Sequence, residues 1–243
     1  YIARLVDWLE RSGADNVGGV CETIPAGEDN HARAIAIAMA HPFGVGNSHF
    51  RIGVAEPRWV DTVPFGCYRR EVFERIGYFD EELLRNQDDE LNHRLLKRGG
   101  RILLVPDVVC RYYARDSLAK LWRMFYQYGY YKPLVAKKLG GVMTLRQLVP
   151  PAFSFALLAG VLAAGVSSLG KLALLTLVAT YVAVVSVAAI SATRGRRALI
   201  PGLLGAFPVM HLGYGLGFLR GVLDFVVFAG RGRRRSGPLP LSR

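Results

Sequence analysis

The chain has 243 residues, room for one or two folded units. Its net charge of +12 is placed unevenly: residues 1–140 carry 20 Lys or Arg against 18 Asp or Glu, whereas residues 141–243 carry 11 against a single acid, Asp224. The basic residues of the second part flank apolar runs instead of forming a polar face with base-reading side chains, which excludes nucleic acid as a partner and reads as membrane topology.

The first part alternates helix and strand signals. "YIARLVDWLERSG" places Ile2, Leu5, Val6 and Leu9 at helical spacing, and Gly13 closes the helix. "NVGGVCETI" is strand-like, "NHARAIAIAMAH" is Ala-rich and helical, and "PFGVGNSHFRIG" (Pro42 to Gly53) reads as a loop with three glycines. "RWVDTVPFGCY" is strand-like up to a turn at Gly66, and "RREVFERIGYF" is a short amphipathic helix ended by Gly77. "DELNHRLLKRGG" is another helix, stopped by Gly99 and Gly100. "RILLVP" and "DVVCRYYA" read as two short strands on either side of Pro106. A long helix follows over about 117–139, with Ser117 as its N-cap. Alternation at this spacing argues for an α/β layer structure.

The tail differs. Residues 147–170 and 172–193 carry no charge, and each is long enough to cross a bilayer as a helix, with spans expected over about 147–169 and 172–193 and a turn at "SSLGK" (Ser167 to Lys171). A third apolar run, about 198–230, contains Pro201, Pro208, His211 and Arg220. Basic flanks before the first span, after the second (Arg194 to Arg197) and in the tail 231–243 (Arg231 to Arg235) make this run re-entrant or interfacial if all of them are cytoplasmic, and spanning otherwise. Cys21, Cys67 and Cys110 are far apart in the chain and form no CxxC, so reduced, mostly buried thiols are expected, which suits a cytosolic face.

The chemistry candidates lie in "NQDDELNHRL", Asn86 to Leu95. Asn86 or Asp88 can cap the helix, and Asp89 and Glu90 in its first turn complement the macrodipole. A carboxylate at such a helix start can also act as general base toward a hydroxyl. A lone His93 reads as a helix-face residue, and no His cluster supports a hydrolase metal site at Asp88 to Glu90.

The order "GCYRREVF", "GYFDEEL", "QDDELNHRL", "RGGRILLVP" resembles the second half of family 2 glycosyltransferases with the GT-A (Rossmann-like) fold. Closest is the membrane-bound succinoglycan-biosynthesis subgroup, over about residues 1–140, with membrane helices following over 147–230. The resemblance implies an inverting glycosyltransferase that uses a nucleotide-sugar donor and a polyprenyl-linked or glycan acceptor. It would serve exopolysaccharide or other cell-surface polysaccharide biosynthesis in the bilayer of the inner (plasma) membrane, with a cytoplasmic site and further polysaccharide-assembly proteins as partners. It implies Asp88 as catalytic base, with Gly66, Cys67, Asp89 and Glu90 on the acceptor side; the loop Phe43 to Arg51 is expected to border the same cleft. Two positions depart from the pattern. Gln87 stands where the family has Glu. Where related membrane synthases carry Q-x-x-R-W, which helps hold substrate, this chain has Gln127, Tyr130 and Tyr131. The family also implies Mg²⁺ or Mn²⁺ on a D-x-D motif. None occurs here, so the motif is expected upstream of Tyr1, the chain reads as the C-terminal piece of a longer protein, and alone it is expected to be inactive. The alternative reading is a non-catalytic, membrane-tethered binding or scaffold subunit.

Overall fold

The computed structural model describes residues 1–142 and 144–228. In chain order the elements are α1 (Ile2–Ser12), β1 (Asn16–Ile24), α2 (Asn30–Ala40), the one-turn helices α3 (Pro42–Val45) and α4 (His49–Ile52), and the two-residue strands β2 (Arg58–Trp59) and β3 (Cys67–Tyr68). There follow α5 (Arg70–Ile76), α6 (Gln87–Lys97), β4 (Ile102–Tyr113), α7 (Leu118–Leu139), α8 (Val149–Val166), α9 (Ser168–Ala192) and α10 (Ile200–Val222), which runs on into a π-helical turn, Leu223–Val227. The basic tail 231–243 and the last two residues of the third apolar run lie outside the described residues.

The sheet is mixed, in the order β2-β4-β1-β3, with β1 and β4 parallel and both short strands antiparallel to their neighbours. The run Ile102 to Val105 is buried on both faces, as expected of a strand covered by helices on each side. Leu103 and Val105 pack under Leu5 and Leu9 of α1, while Ile102 and Leu104 pack under Val72, Leu91 and Leu95 of α5 and α6. The two strands expected around Pro106 are one. The register jumps from Gly19 opposite Val105 to Val20 opposite Val109, so Pro106 sits in a bulge, where its missing N–H costs no ladder bond. The same register sets Cys21 opposite Cys110, with their sulfurs 2.9 Å apart and both thiols free.

Other expectations need correction in detail. The loop Pro42 to Gly53 folds into α3 and α4, the first entered through Pro42 and an Nδ1 acceptor on His41. The turn expected over Ser167 to Lys171 shrinks to Ser167, whose hydroxyl caps α9 by accepting from the Gly170 amide at 2.9 Å. The described residues of the third apolar run are helical from Arg197 to Val227.

Among the described residues three helical stretches are long and apolar enough to cross a membrane: Leu145–Val166, Ser168–Ala192 and Arg197–Val227. Exposed Leu and Val side chains run along α8 and α9, as lipid-facing surfaces do, whereas α10 is packed within the protein. Gly213, Gly217 and Gly221 form a stripe at helical spacing on α10, set against the backbone carbonyls of Trp122, Tyr126 and Tyr130 of α7. On another face Gly215 meets Pro150 and Ser154 of α8. His211, Arg220 and Asp224 of the third run are satisfied internally: His211 bonds the Phe43 carbonyl (2.8 Å) and the Tyr181 hydroxyl (2.9 Å), and Arg220 pairs with Asp224 at 2.9 Å. One apolar core joins Ile35 and Met39 of α2 and Leu121 and Met124 of α7 to Leu203 and Phe207 of α10. The sheet-bearing part and the apolar helices are thereby fused.

Candidate active site

A cavity of about 1100 Å³ opens where these parts meet. Its floor includes Cys21 of β1 and Tyr112 of β4, and one wall is the segment from Phe43 to Arg51. Gly66 and the start of α6 with Asp88 and Asp89 form the opposite wall. Tyr128 and Lys132 of α7, Phe153 of α8 and Met210 of α10 close it from the apolar side.

Asn86 occupies the N-cap position of α6 but does not cap it. It takes a left-handed backbone, φ 64°, which Asn tolerates, and its side-chain amide donates to the Tyr128 carbonyl at 3.0 Å. This bond ties the start of α6 to α7 and turns Asp88 and Asp89 into the cavity. Asp88 is exposed because the cavity is open in front of it, yet its carboxyl is set among dense protein. That desolvation, and then the neighbouring Asp89, push its pKa up. Asp88 Oδ1 accepts from the Asp89 amide at 2.8 Å. Burial would also raise Asp89, but the Lys132 ammonium paired with it and His93, 3.7 Å away, outweigh that and hold its pKa below the usual carboxylate range. Two adjacent carboxylates are thus driven apart: one is locked as an anion, the other is the stronger proton acceptor.

Behind this pair, α6 is pinned to the sheet by Asn92, which is fully buried. Its Oδ1 accepts from Asn16 Nδ2 and from the Tyr68 hydroxyl, both at 2.8 Å, and its Nδ2 donates to Thr62 Oγ1 (2.9 Å) and the Val63 carbonyl (3.1 Å). Gly66 lies against the Asn16 amide, where a Cβ would collide with it. Replacing Asn92 by Ala strands several buried donors and acceptors, and should lower unfolding free energy in detergent by about 2 kcal/mol. An unchanged denaturation midpoint would remove Asn92 from this positioning role.

The chain is 31% identical over 235 residues to the succinoglycan biosynthesis protein ExoA of Rhizobium meliloti (strain 1021), a match covering 93% of this chain and 66% of that protein. The chain belongs to the family 2 glycosyltransferases. It is also 29% identical over 143 residues to a dolichyl N-acetyl-alpha-D-glucosaminyl phosphate 3-beta-D-2,3-diacetamido-2,3-dideoxy-beta-D-glucuronosyltransferase of Methanococcus voltae, over 58% of this chain and 43% of that protein. The chain thus spans just under two thirds of the first relative and less than half of the second. No family model and no solved structure matches it.

In this chain the cavity gathers Gly66, Asp88, Asp89 and the Phe43 to Arg51 segment, together with Gln87, the position where the family has Glu. Cys67, Glu90, Gln127, Tyr130 and Tyr131 are not brought to its wall. Cys67 packs on the α1 side of the sheet. Glu90 is buried and paired at 2.6 Å with Arg94, which in turn donates to the Ile76 and Tyr78 carbonyls. Gln127 accepts from Arg85 Nε at 3.2 Å. Tyr130 and Tyr131 pack on Phe225, and the Tyr130 hydroxyl donates to Asp224 at 3.0 Å. Helix geometry is the cause. Gln127, Tyr130 and Tyr131 share one face of α7, whereas Tyr128 and Lys132, four residues apart, share the face toward Asp89. Lys132 and Arg146 were missed by the motif reading. Lys132 could have been found from its i, i+4 spacing to Tyr128. Arg146, held at 2.6 Å by Asp61, carries no such signal.

Proposed function

We propose that this protein is an inverting glycosyltransferase that moves a sugar from a nucleotide-sugar donor to a lipid-linked acceptor in cell-surface polysaccharide assembly, at the cytoplasmic face of the membrane. The observation that carries the reading is that one cavity holds Asp88 and Asp89 at one wall and the apolar helices α8 and α10 at another. A polyprenyl-linked sugar has the matching two-part character. The names of both relatives agree with it, one in succinoglycan biosynthesis and the other acting on a dolichyl-phosphate-linked sugar.

In this reading Asp88 takes the proton of the acceptor hydroxyl. The freed oxygen bonds to the anomeric carbon of the donor from the face opposite the nucleoside diphosphate, which leaves with its bonding electrons. Asp89, held by Lys132, keeps the start of α6 in place and its negative charge sustains the basicity of Asp88. Among the described residues no group of three or more His, Cys, Asp or Glu is placed to hold a metal. The Mg²⁺ or Mn²⁺ that offsets diphosphate charge belongs to the proposal for the whole protein.

Membranes containing the full-length protein should transfer labelled sugar to a lipid-extractable product whose anomeric configuration is opposite to that of the donor. Retained configuration, or label found only in water-soluble material, would sink the proposal. The acid limb of the pH profile gives a finer check. Transfer needs ionised Asp88, so a raised pKa puts the limb above the ordinary carboxylate range. Asp89→Asn removes the charge that raises Asp88 and should move the limb to lower pH. Lys132→Met removes a charge that lowers it and should move the limb to higher pH. Limbs that stay put in both variants would detach the profile from Asp88.

A further inference from the structure

The cavity is lined by charges of both signs. Arg51, Arg85, Lys132 and Arg146 line it, against Asp88 and Asp89. Lys132 is committed to Asp89, and Arg146 to Asp61 and to Asn47 Oδ1 at 2.5 Å. Arg51 is different. Its guanidinium lies over the Tyr112 ring, 4.7 Å from the centroid, and 5.4 Å from that of Phe50, so aromatic faces support its stem and head. Its Nη1 is buried without a hydrogen-bond partner, and among the described residues no carboxylate pairs with it. A half-buried guanidinium with an orphaned donor and no counter-ion is costly unless an anion from outside completes it. The spot is also the reacting one, since Arg51 and Asp88 both lie close enough to the Cys21 thiol and the Tyr128 hydroxyl to act on them electrostatically.

We propose that Arg51 anchors a phosphate- or diphosphate-binding subsite, which receives the charged group of a phosphate ester while the ester's apolar part lies along Val149, Phe153 and Met210. Guanidinium donors match phosphate oxygens in a fork, and the low-dielectric setting strengthens the contact. The subsite rests on the transferase reading of the same cavity but adds to it the group that fixes substrate position. It also gives this chain a phosphate contact at a place other than Tyr130, which faces Asp224.

The test uses full-length protein in nanodiscs of neutral lipid, with four probes: a polyprenyl diphosphate, the uncharged polyprenol of equal length, inorganic diphosphate and a nucleoside diphosphate. Wild type should bind the polyprenyl diphosphate at least about tenfold more tightly than the alcohol, and inorganic diphosphate should compete with it. Arg51→Met keeps the stem against Phe50 and Tyr112 and should bring the ratio close to one; Arg51→Lys should retain part of it. An Arg51-dependent affinity for the nucleoside diphosphate, with none for the lipid, would assign the same subsite to the donor. No preference of the wild type for any phosphorylated probe overturns the proposal, as does a folded Arg51→Met variant with the wild-type preference. The wild-type comparison decides alone if that variant fails to fold. Asp88→Asn should keep the affinity while losing transfer. If it keeps transfer too, the base assignment falls and the subsite stands on its binding data.

Discussion

Asp88→Asn in the full-length protein should reduce sugar transfer about 10²- to 10⁴-fold, the range that a positioned general base contributes. The substitution is nearly isosteric. The bond from the Asp89 amide to Asp88 Oδ1 can be kept by the amide oxygen of Asn, and among the described residues the Asp88 side chain makes no other hydrogen bond or ion pair. Stability should therefore change little, and substrate affinity should survive, so the loss should fall on kcat. Asp89→Asn is the informative companion. It breaks the pair with Lys132 and leaves that ammonium, 11% exposed, without its carboxylate, so it should damage both stability and rate. A full-activity Asp88→Asn enzyme would refute the base assignment. If only Asp89→Asn abolished transfer, the roles of the two carboxylates would have to be exchanged. Gln87 enters here through electrostatics. The family's Glu would set a third acid beside Asp88, whereas Gln87 leaves Asp89 as the neighbouring acid that raises its pKa.

The second large effect is structural. Gly217→Val places a branched side chain against the carbonyl of Tyr126, where even a Cβ has no room. The opposing atom is helix backbone and cannot rotate away, so α7 and α10 must separate. The expected cost is about 3 kcal/mol or more, at the upper end for overpacking. Because α7 carries Lys132 and Tyr128 into the cavity, transfer should fall along with stability. Unfolding in detergent measures the first, and labelled-sugar transfer in membranes the second. Gly165→Ala is the control, since nothing lies within 4 Å of a Cβ there. It should be neutral or slightly stabilising, because Ala is the better helix former. Equal stability of Gly217→Val and wild type would show that the two helices do not meet through this stripe.

Several parts of this molecule were legible in the chain because they depend on neighbours in sequence. Gly13 and Ser117 end and start helices by local geometry, and both do so here. The uncharged runs over 147–170 and 172–193 form apolar helices because length and composition suffice for that. The acids after Asn86 stand at a helix start, as their spacing implied. Other features were hidden because they depend on partners far along the chain. Pro106 looked like a strand end, but its bulge exists only against Gly19 and Val20 of β1. Tyr130 and Tyr131 resembled a substrate-facing motif, yet the face of α7 that meets the cavity was decided by the docking of α10 and α6 on either side.

Periodicity, caps and charge gaps act within a few residues, so the alternation of helix and strand, the apolar helices and the motif order that marks Asp88 can be read from the chain alone. The lock of Lys132 on Asp89, the entry of Arg51 into the same cavity with Nη1 unpartnered, and the packing of α10 between α7 and α8 became visible in three dimensions alone. The reason is physical: each of these rests on a contact between segments that chain folding, and no local preference, brings within a few ångströms.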